Sequence, residues 1–167
     1  MIRVAILTIS DGVAAGTRED ESGIALQQRA IVLGWNVSST DVVPDELQDI
    51  SSTLSTLAHS GNVDVILTTG GTGIALRDVT PEAVRAIADR EIMGIGEVMR
   101  SEGRKSTKFA ALSRSGAYVA ASTLILTLPG SPRGAIESLN AVVELIPHVV
   151  DLLHGRTEHR QKPSAEE

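Results

Sequence analysis

Val63-Asp64-Val65-Ile66-Leu67-Thr68-Thr69-Gly70-Gly71-Thr72-Gly73 is the stretch on which the fold turns. A short aliphatic run stops at three glycines within four residues. Continuous apolar runs of this length suit strands buried on both faces, as in parallel sheets. Glycines directly after such a strand let backbone amides approach a ligand closely and take positive φ, which makes a nest for an anion. Thr72 adds a hydroxyl donor. The competing reading is a glycine-rich turn that holds nothing, and the position straight after an aliphatic strand favours the nest.

Upstream, Ile2 to Ile9 reads as a buried strand that ends at Ser10-Asp11-Gly12, with a loop continuing to about Glu21. Ser22 opens a helix through Leu33, closed by Gly34 where a left-handed residue is expected. Trp35 to Val43 is the second strand. After Pro44, Leu47, Ile50, Leu54 and Leu57 recur at spacings of three and four, the stripe of an amphipathic helix with Asp45 and Glu46 in its first turn.

Downstream, Thr80-Pro81-Glu82 reads as an N-cap, a first-position proline and a first-turn acid, followed by a helix to about Ala88. Gly94, Gly96 and Gly103 break up the stretch 94–108, which is expected to form a short helix and a mobile loop. Gly116 to Val119 and Thr123 to Leu128 are two more strands. Ser131 then caps a helix begun by Pro132, with Ala135, Ile136, Leu139, Val142, Val143 and Ile146 on its apolar face. The alternation of strand and helix predicts an α/β three-layer sandwich, a mostly parallel central sheet flanked by helices. Residues 1–155 form the expected domain and 156–167 a polar, disordered tail.

Composition agrees with this reading and narrows the function. The 167 residues suffice for one well-buried core. Aromatic residues are only 2 % of the chain, so the core must be built from Val, Ile, Leu and Ala. There is no cysteine, which removes thiolate metal sites and cysteine nucleophiles and fits the reducing cytoplasm. No apolar run approaches the roughly 20 residues of a membrane helix. A formal charge of −6 and the lack of aromatic platforms argue against nucleic acid as partner. His59, His148, His154 and His159 show no metal-ligand spacing.

In an open parallel sheet the ligand binds outside the carboxyl ends of the strands. Ser10-Asp11, Pro44-Asp45-Glu46, Thr69 to Asp78 and Leu128 to Pro132 follow strand ends and can therefore share one crevice. No Gly-Lys-Ser or Gly-Lys-Thr follows the glycines, which excludes a Walker A loop. Gly71-Thr72-Gly73-Ile74-Ala75-Leu76 has leucine where a dinucleotide fingerprint needs its third glycine or alanine, which argues against a nicotinamide-dependent oxidoreductase. Asp78, between the glycine loop and the next helix, is placed to hold a hydrated magnesium ion against phosphates, and Asp45 offers a second carboxylate. Loop bonding for Asp78 and the helix dipole for Asp45 are the competing explanations. Arg77, Lys105, Lys108, Arg114 and Arg133 are the cations near these loops, as phosphate partners or as solvated surface charges.

The same segments resemble the molybdopterin adenylyltransferase family, the MogA and MoaB proteins of molybdenum cofactor biosynthesis and the related domain of gephyrin. The resemblance runs through Ser10-Asp11 with Asp20, Ser22 and Gly23; Val43 to Glu46; Thr68 to Gly73; Arg77 to Glu82; Gly94 to Glu97 with Met99-Arg100; Leu112 to Ser115; and Leu128 to Pro132. It implies that the chain joins the terminal phosphate of molybdopterin to AMP from ATP with Mg2+, releasing pyrophosphate. It further implies a homo-oligomer, usually a trimer, that hands its product to a molybdenum insertase protein. Asp45 and Asp78 match the family's essential acids and metal holders. Gly70, Gly71, Thr72 and Gly73 match its pterin phosphate and dithiolene side, with Thr69 beside them in the expected substrate-binding set; Ser113, Ser115 and Ser122 match substrate contacts; Pro129, Gly130, Ser131 and Pro132 match its other ligand-lining loop. Ser10, Asp11, Ser22, Gly23, Glu97 and Arg114 lie in the matched motifs and complete the expected substrate-binding set. Ala75-Leu76 and Met93 stand where relatives often carry proline. A family member that binds molybdopterin without turnover is the alternative.

Overall fold

The computed structural model describes residues 1–156, so the expected tail lies outside the described residues beyond Arg156. In chain order the strands are β1 (Arg3–Ile9), β2 (Asn36–Val43), β3 (Val65–Thr69), β4 (Arg90–Glu91), β5 (Gly116–Ala120) and β6 (Thr123–Leu128). They form one sheet in the order β2-β1-β3-β6-β5-β4. The pairs β1–β2, β1–β3 and β3–β6 are parallel, whereas β5–β6 and β4–β5 are antiparallel. The chain leaves β1 for one side of the sheet and returns through β3 on the other. The point where the winding reverses therefore lies between the carboxyl ends of β1 and β3, where such sheets open a crevice.

The helices are α1 (Asp11–Ala14), α2 (Glu21–Val32), α3 (Leu47–His59), α4 (Thr80–Arg85), α5 (Met93–Gly103), α6 (Pro132–Val142) and α7 (Ile146–Leu153), with a 3₁₀ turn at Lys108–Leu112. Successive strand residues face opposite sides, and both sides are buried. Val4, Ile6, Val65, Leu67, Leu124 and Leu126 pack under Leu26, Met99, Leu139 and Ile146 of α2, α5, α6 and α7. Ala5, Leu7, Ile66 and Ile125 pack under Ile50, Leu54, Ala83 and Val84 of α3 and α4. The expected three-layer α/β sandwich with a mostly parallel sheet is what the chain forms. Among the described residues no helix is long and apolar enough to cross a membrane.

Several local expectations are corrected. The loop after β1 contains a short helix, capped by Ser10, whose hydroxyl accepts from Val13 N. The stretch 94–108 holds an eleven-residue helix rather than a short one, because Ile95 and Met99, one turn apart, bury against the sheet and outweigh the glycines. Two elements replace the single helix expected from Pro132 to Ile146, since α6 ends at Val142 and Ile146 starts α7 with Pro147 in its first turn. Strand β4 carries only two residues, too few to leave an alternating pattern. Thr80 is the first residue of α4 rather than its cap.

At the sheet end away from the crevice, Asp64 is 4 % exposed and meets Arg3. Arg3 donates from its backbone N to Oδ2 at 2.8 Å and from a guanidinium nitrogen to Oδ1 at 2.6 Å, and His154 Nε2 lies 3.4 Å from Oδ1. Burial pushes the Asp64 carboxyl up, but the Arg3 hydrogen bonds outweigh it and leave the group below its ordinary value. A depressed folded value means the stabilisation is complete above the unfolded carboxyl value of about 4 and is lost as pH falls through the lower folded value. Asp64→Asn is therefore expected to lower stability by about 2 kcal/mol at neutral pH. The gap from wild type should narrow on acidification. Urea unfolding of both proteins between pH 7 and pH 3 measures it, and a gap independent of pH would show that charge is not what Asp64 contributes.

Candidate functional site

Four segments meet at the carboxyl ends of the parallel strands. After β3 the chain takes two consecutive positive φ values, 104° at Gly70 and 64° at Gly71, which side-chain-bearing residues rarely adopt. The Gly70 N–H is used by the Leu128 carbonyl at 3.2 Å, and Thr69 Oγ1 donates to the Pro129 carbonyl at 2.8 Å. The glycine loop is thus fastened to the loop after β6. Thr80 fastens it from the other side, donating from Oγ1 to Gly70 O at 2.9 Å and from N to Gly71 O at 3.1 Å. The N–H groups of Gly71, Thr72 and Gly73 have no hydrogen-bond partner among the described residues. A fixed loop with three uncommitted amides has the chemistry that suits an anion.

Asp45 sits half-buried at the end of β2. Its Oδ2 accepts from Asp11 N at 2.9 Å, and its own N donates back to Asp11 Oδ1 at 3.0 Å. Arg77 donates to both oxygens of Asp11, at 2.7 and 2.9 Å, and to Glu46 Oε1 at 2.9 Å. The Arg77 guanidinium and the Asp45 amide hold the Asp11 carboxyl below its ordinary range. Asp45 goes the other way: burial raises it most, and the nearby charges of Asp11 and Asp78 add to this against the pull of the Asp11 amide and Arg77. Asp78 Oδ2 accepts from Ala75 N at 2.8 Å. Among the described residues the other oxygen, Oδ1, of both Asp45 and Asp78 has no protein donor.

Two half-buried carboxylates on neighbouring loops, each with an uncommitted oxygen, suit a divalent cation. No cluster of three or more His, Cys, Asp or Glu that could hold a metal exists among the described residues. The donor set therefore fits a hard cation that takes one or two carboxylates and completes its shell with water and substrate phosphates, as Mg2+ does.

The crevice has two lobes. The larger, about 510 Å³, is walled by Gly71 to Ile74, Met99, Phe109, Leu112, Ser113 and Pro129. The smaller, about 360 Å³, is walled by Thr8 to Ser10, Arg18, Asp20, Ser22, Asp45, Thr69, Gly70 and Pro132. Gly71, Asp78, Gly130 and Ser131 line both, so the lobes meet beside Asp78. The smaller lobe is floored by a polar knot in which Thr8 Oγ1 donates to Asp20 Oδ2 at 2.7 Å and Gly23 N to Asp20 Oδ1 at 2.8 Å. A methyl on Gly23 would fall 2.1 Å from that carboxylate.

Of the residues named from sequence, Ser10, Ser22, Asp45, Thr69 to Gly73, Asp78, Ser113 and Pro129 to Pro132 are brought to these lobes. Asp11 and Gly23 stand behind them. Ser115 is buried and lines neither lobe; its hydroxyl lies 2.9 Å from that of Ser113 and 3.4 Å from that of Thr72, forming a hydroxyl chain along the wall. Glu97 is exposed in a separate groove beside α5 and does not reach the crevice. Ser122 is the clear departure. It is exposed in the β5–β6 hairpin, and antiparallel pairing sets that hairpin at the sheet end opposite the crevice. Arg18, Met99 and Phe109 line the crevice without having been expected there: Arg18 lies in the long loop after β1 beyond its Ser10-Asp11 motif, Met99 in the glycine-broken stretch whose helix the sequence hid, and Phe109 after it, away from any strand end.

The model of the family described as "Probable molybdopterin binding domain" matches residues 5–148. The chain is 38 % identical over 156 residues to the molybdopterin adenylyltransferase of Helicobacter pylori strain J99, covering 92 % of this chain and 89 % of that protein. It is likewise 38 % identical over 157 residues to the molybdopterin adenylyltransferase of Escherichia coli K12, covering 92 % of this chain and 79 % of that one. The crystal structure of the molybdopterin biosynthesis enzyme MoaB from Thermus thermophilus superposes with a TM-score of 0.87 at 46 % identity, over 93 % of this chain and 98 % of that one. With a family match across most of its length and relatives aligned nearly end to end, this chain belongs to the molybdopterin-binding domain family of molybdenum cofactor biosynthesis.

Proposed function

We propose that the protein is a molybdopterin adenylyltransferase, which joins the phosphate of molybdopterin to the adenylyl group of ATP. The observation that carries this is the pair of lobes meeting at Gly71, Asp78, Gly130 and Ser131. Two substrates can lie in adjoining chambers with their phosphates converging beside the two carboxylates. The larger lobe, with the Met99 and Phe109 side chains and the Gly71 to Gly73 amides, suits the pterin and its phosphate; the smaller suits ATP.

An oxygen of the molybdopterin phosphate bonds to the α-phosphorus of ATP, the bond from that phosphorus to the bridging oxygen breaks, and pyrophosphate leaves with the electron pair. A phosphate nucleophile is already ionised near neutral pH, so no side chain must remove a proton. The residues position and neutralise instead. The uncommitted amides of the glycine loop hold the attacking phosphate in line. Asp11, fixed by Arg77, sets the Asp45 carboxylate. The turn between Ala75 and Asp78 sets the second carboxylate. Asp45 and Asp78 are the residues that would hold a magnesium ion, which when bound would supply the positive charge that lets the two anions approach.

The domain boundary at 155, a cytoplasmic location, trimeric assembly and transfer of the product to a molybdenum insertase follow from the same reading. The test is to incubate the purified protein with molybdopterin, ATP and Mg2+ and to assay adenylated molybdopterin and pyrophosphate together. Both products are expected. Molybdopterin binding without either would replace the enzyme with a binding protein.

A further inference from the structure

We propose that Arg114 is a positioning residue that sets the Asp78 carboxylate from behind the crevice and does not contact substrate. Arg114 follows the 3₁₀ turn and lies in the groove beside Arg85 and Glu91, lining neither lobe. All three of its guanidinium nitrogens are engaged. Nε donates to Gly73 O at 2.7 Å, one terminal nitrogen donates to Asp78 O, and the other pairs with Glu82. Its backbone N donates to Thr72 O at 2.8 Å.

Gly73 and Asp78 are the two ends of the segment that carries the catalytic carboxylate. Within it, Asp78 N donates to Ala75 O at 3.0 Å and Ala75 N to Asp78 Oδ2 at 2.8 Å, so the segment is closed on itself. Those internal bonds fix its shape but not its place. Arg77 ties the outer side of the segment to Asp11 and Glu46, and Arg114 places its two ends by holding both on one planar fork, which Glu82 in the first turn of α4 pins in turn. Lysine cannot do this, because one ammonium on a flexible stem has no rigid geometry to span two carbonyls and a carboxylate. The arrangement transmits order from β5 and α4 to a segment whose outer residues Ile74 and Leu76 are exposed.

The kinetic consequence rests on the adenylyltransferase reading, and the structural one does not. In Arg114→Ala, kcat is expected to fall about 100-fold, the cost of misplacing a reacting group by about an ångström. KM for ATP and molybdopterin should stay within about threefold. Millimolar guanidinium should recover about tenfold of the lost rate, and Arg114→Lys should stay close to the alanine variant. A raised KM with kcat retained would overturn the proposal and make Arg114 a substrate contact. Independently of activity, amide hydrogen exchange at Ala75 and Asp78 should quicken about tenfold in Arg114→Ala, with β1 and β3 unchanged. Unchanged exchange in the 73–78 segment would overturn it, as would loss of protection throughout the sheet. If the wild type makes no adenylated product, the functional reading fails by itself and the exchange experiment still decides the role of Arg114.

Discussion

Asp78→Asn is expected to lower adenylyl transfer by about a thousandfold, roughly 4 kcal/mol of transition-state stabilisation, while molybdopterin affinity changes by less than about tenfold. The substitution is close to isosteric. The amide oxygen can still accept from Ala75 N, so the turn that carries residue 78 keeps its internal bond. What is lost is one negative charge beside Asp45, whose own carboxyl burial and the neighbouring charge of Asp78 already push upward. On the proposed reading, ground-state binding rests mainly on the glycine-loop amides and the apolar wall, which the substitution leaves in place. The measurement is pyrophosphate release at saturating substrate beside a calorimetric titration with molybdopterin. Near-normal turnover would remove Asp78 from the mechanism. A large loss of affinity with kcat preserved would make it a binding residue instead.

Gly70→Ala should be as severe by a different route. A methyl at this position would fall 2.1 Å from the Ile9 carbonyl oxygen, which is backbone of the neighbouring strand and cannot swing aside. The φ of 104° is also outside the range an alanine adopts readily. Left-handed strain of about 1–2 kcal/mol and overpacking of about 1–3 kcal/mol together predict a loss of about 4 kcal/mol. That is a large share of a typical domain's stability. Urea unfolding should show the midpoint moving down at constant slope. A variant within about 1 kcal/mol of wild type would mean that the loops after β1 and β3 can separate without cost, contrary to the packing described above.

The layers were legible because β1, β3, β5 and β6 are apolar runs and the larger helices carry caps or clear three-and-four spacing. Ser131 and Pro132 at the start of α6, and Gly34 after α2, act as their chemistry predicts. Glycine loop, Asp45 and Asp78 could be placed together from strand-end position alone. What stayed illegible depends on pairing across the sheet. Ser122 follows a strand as Gly130 does, and only the reversal of β5 against β6 sends it to the wrong end. The eleven-residue α5 was hidden by Gly94, Gly96 and Gly103, whose low helix propensity is outweighed by the burial of Ile95 and Met99. Arg114 read as either a phosphate partner or a solvated surface charge, because a free cation and one engaged by two carbonyls and a carboxylate look alike in sequence.

The order of the central strands has a consequence for the newly made chain. Val4 pairs with Val65, and Val65 with Leu124, so the three strands that hold the crevice come from distant thirds of the polypeptide. Each pairing must close a loop of about sixty residues before it gains anything, which makes such folds slow and their partial forms poorly populated. During synthesis, the first hundred residues carry the glycine loop and both carboxylates but lack its anchors at Leu128 and Pro129. The glycine loop is therefore fully anchored only late, when β6 slots in beside β3.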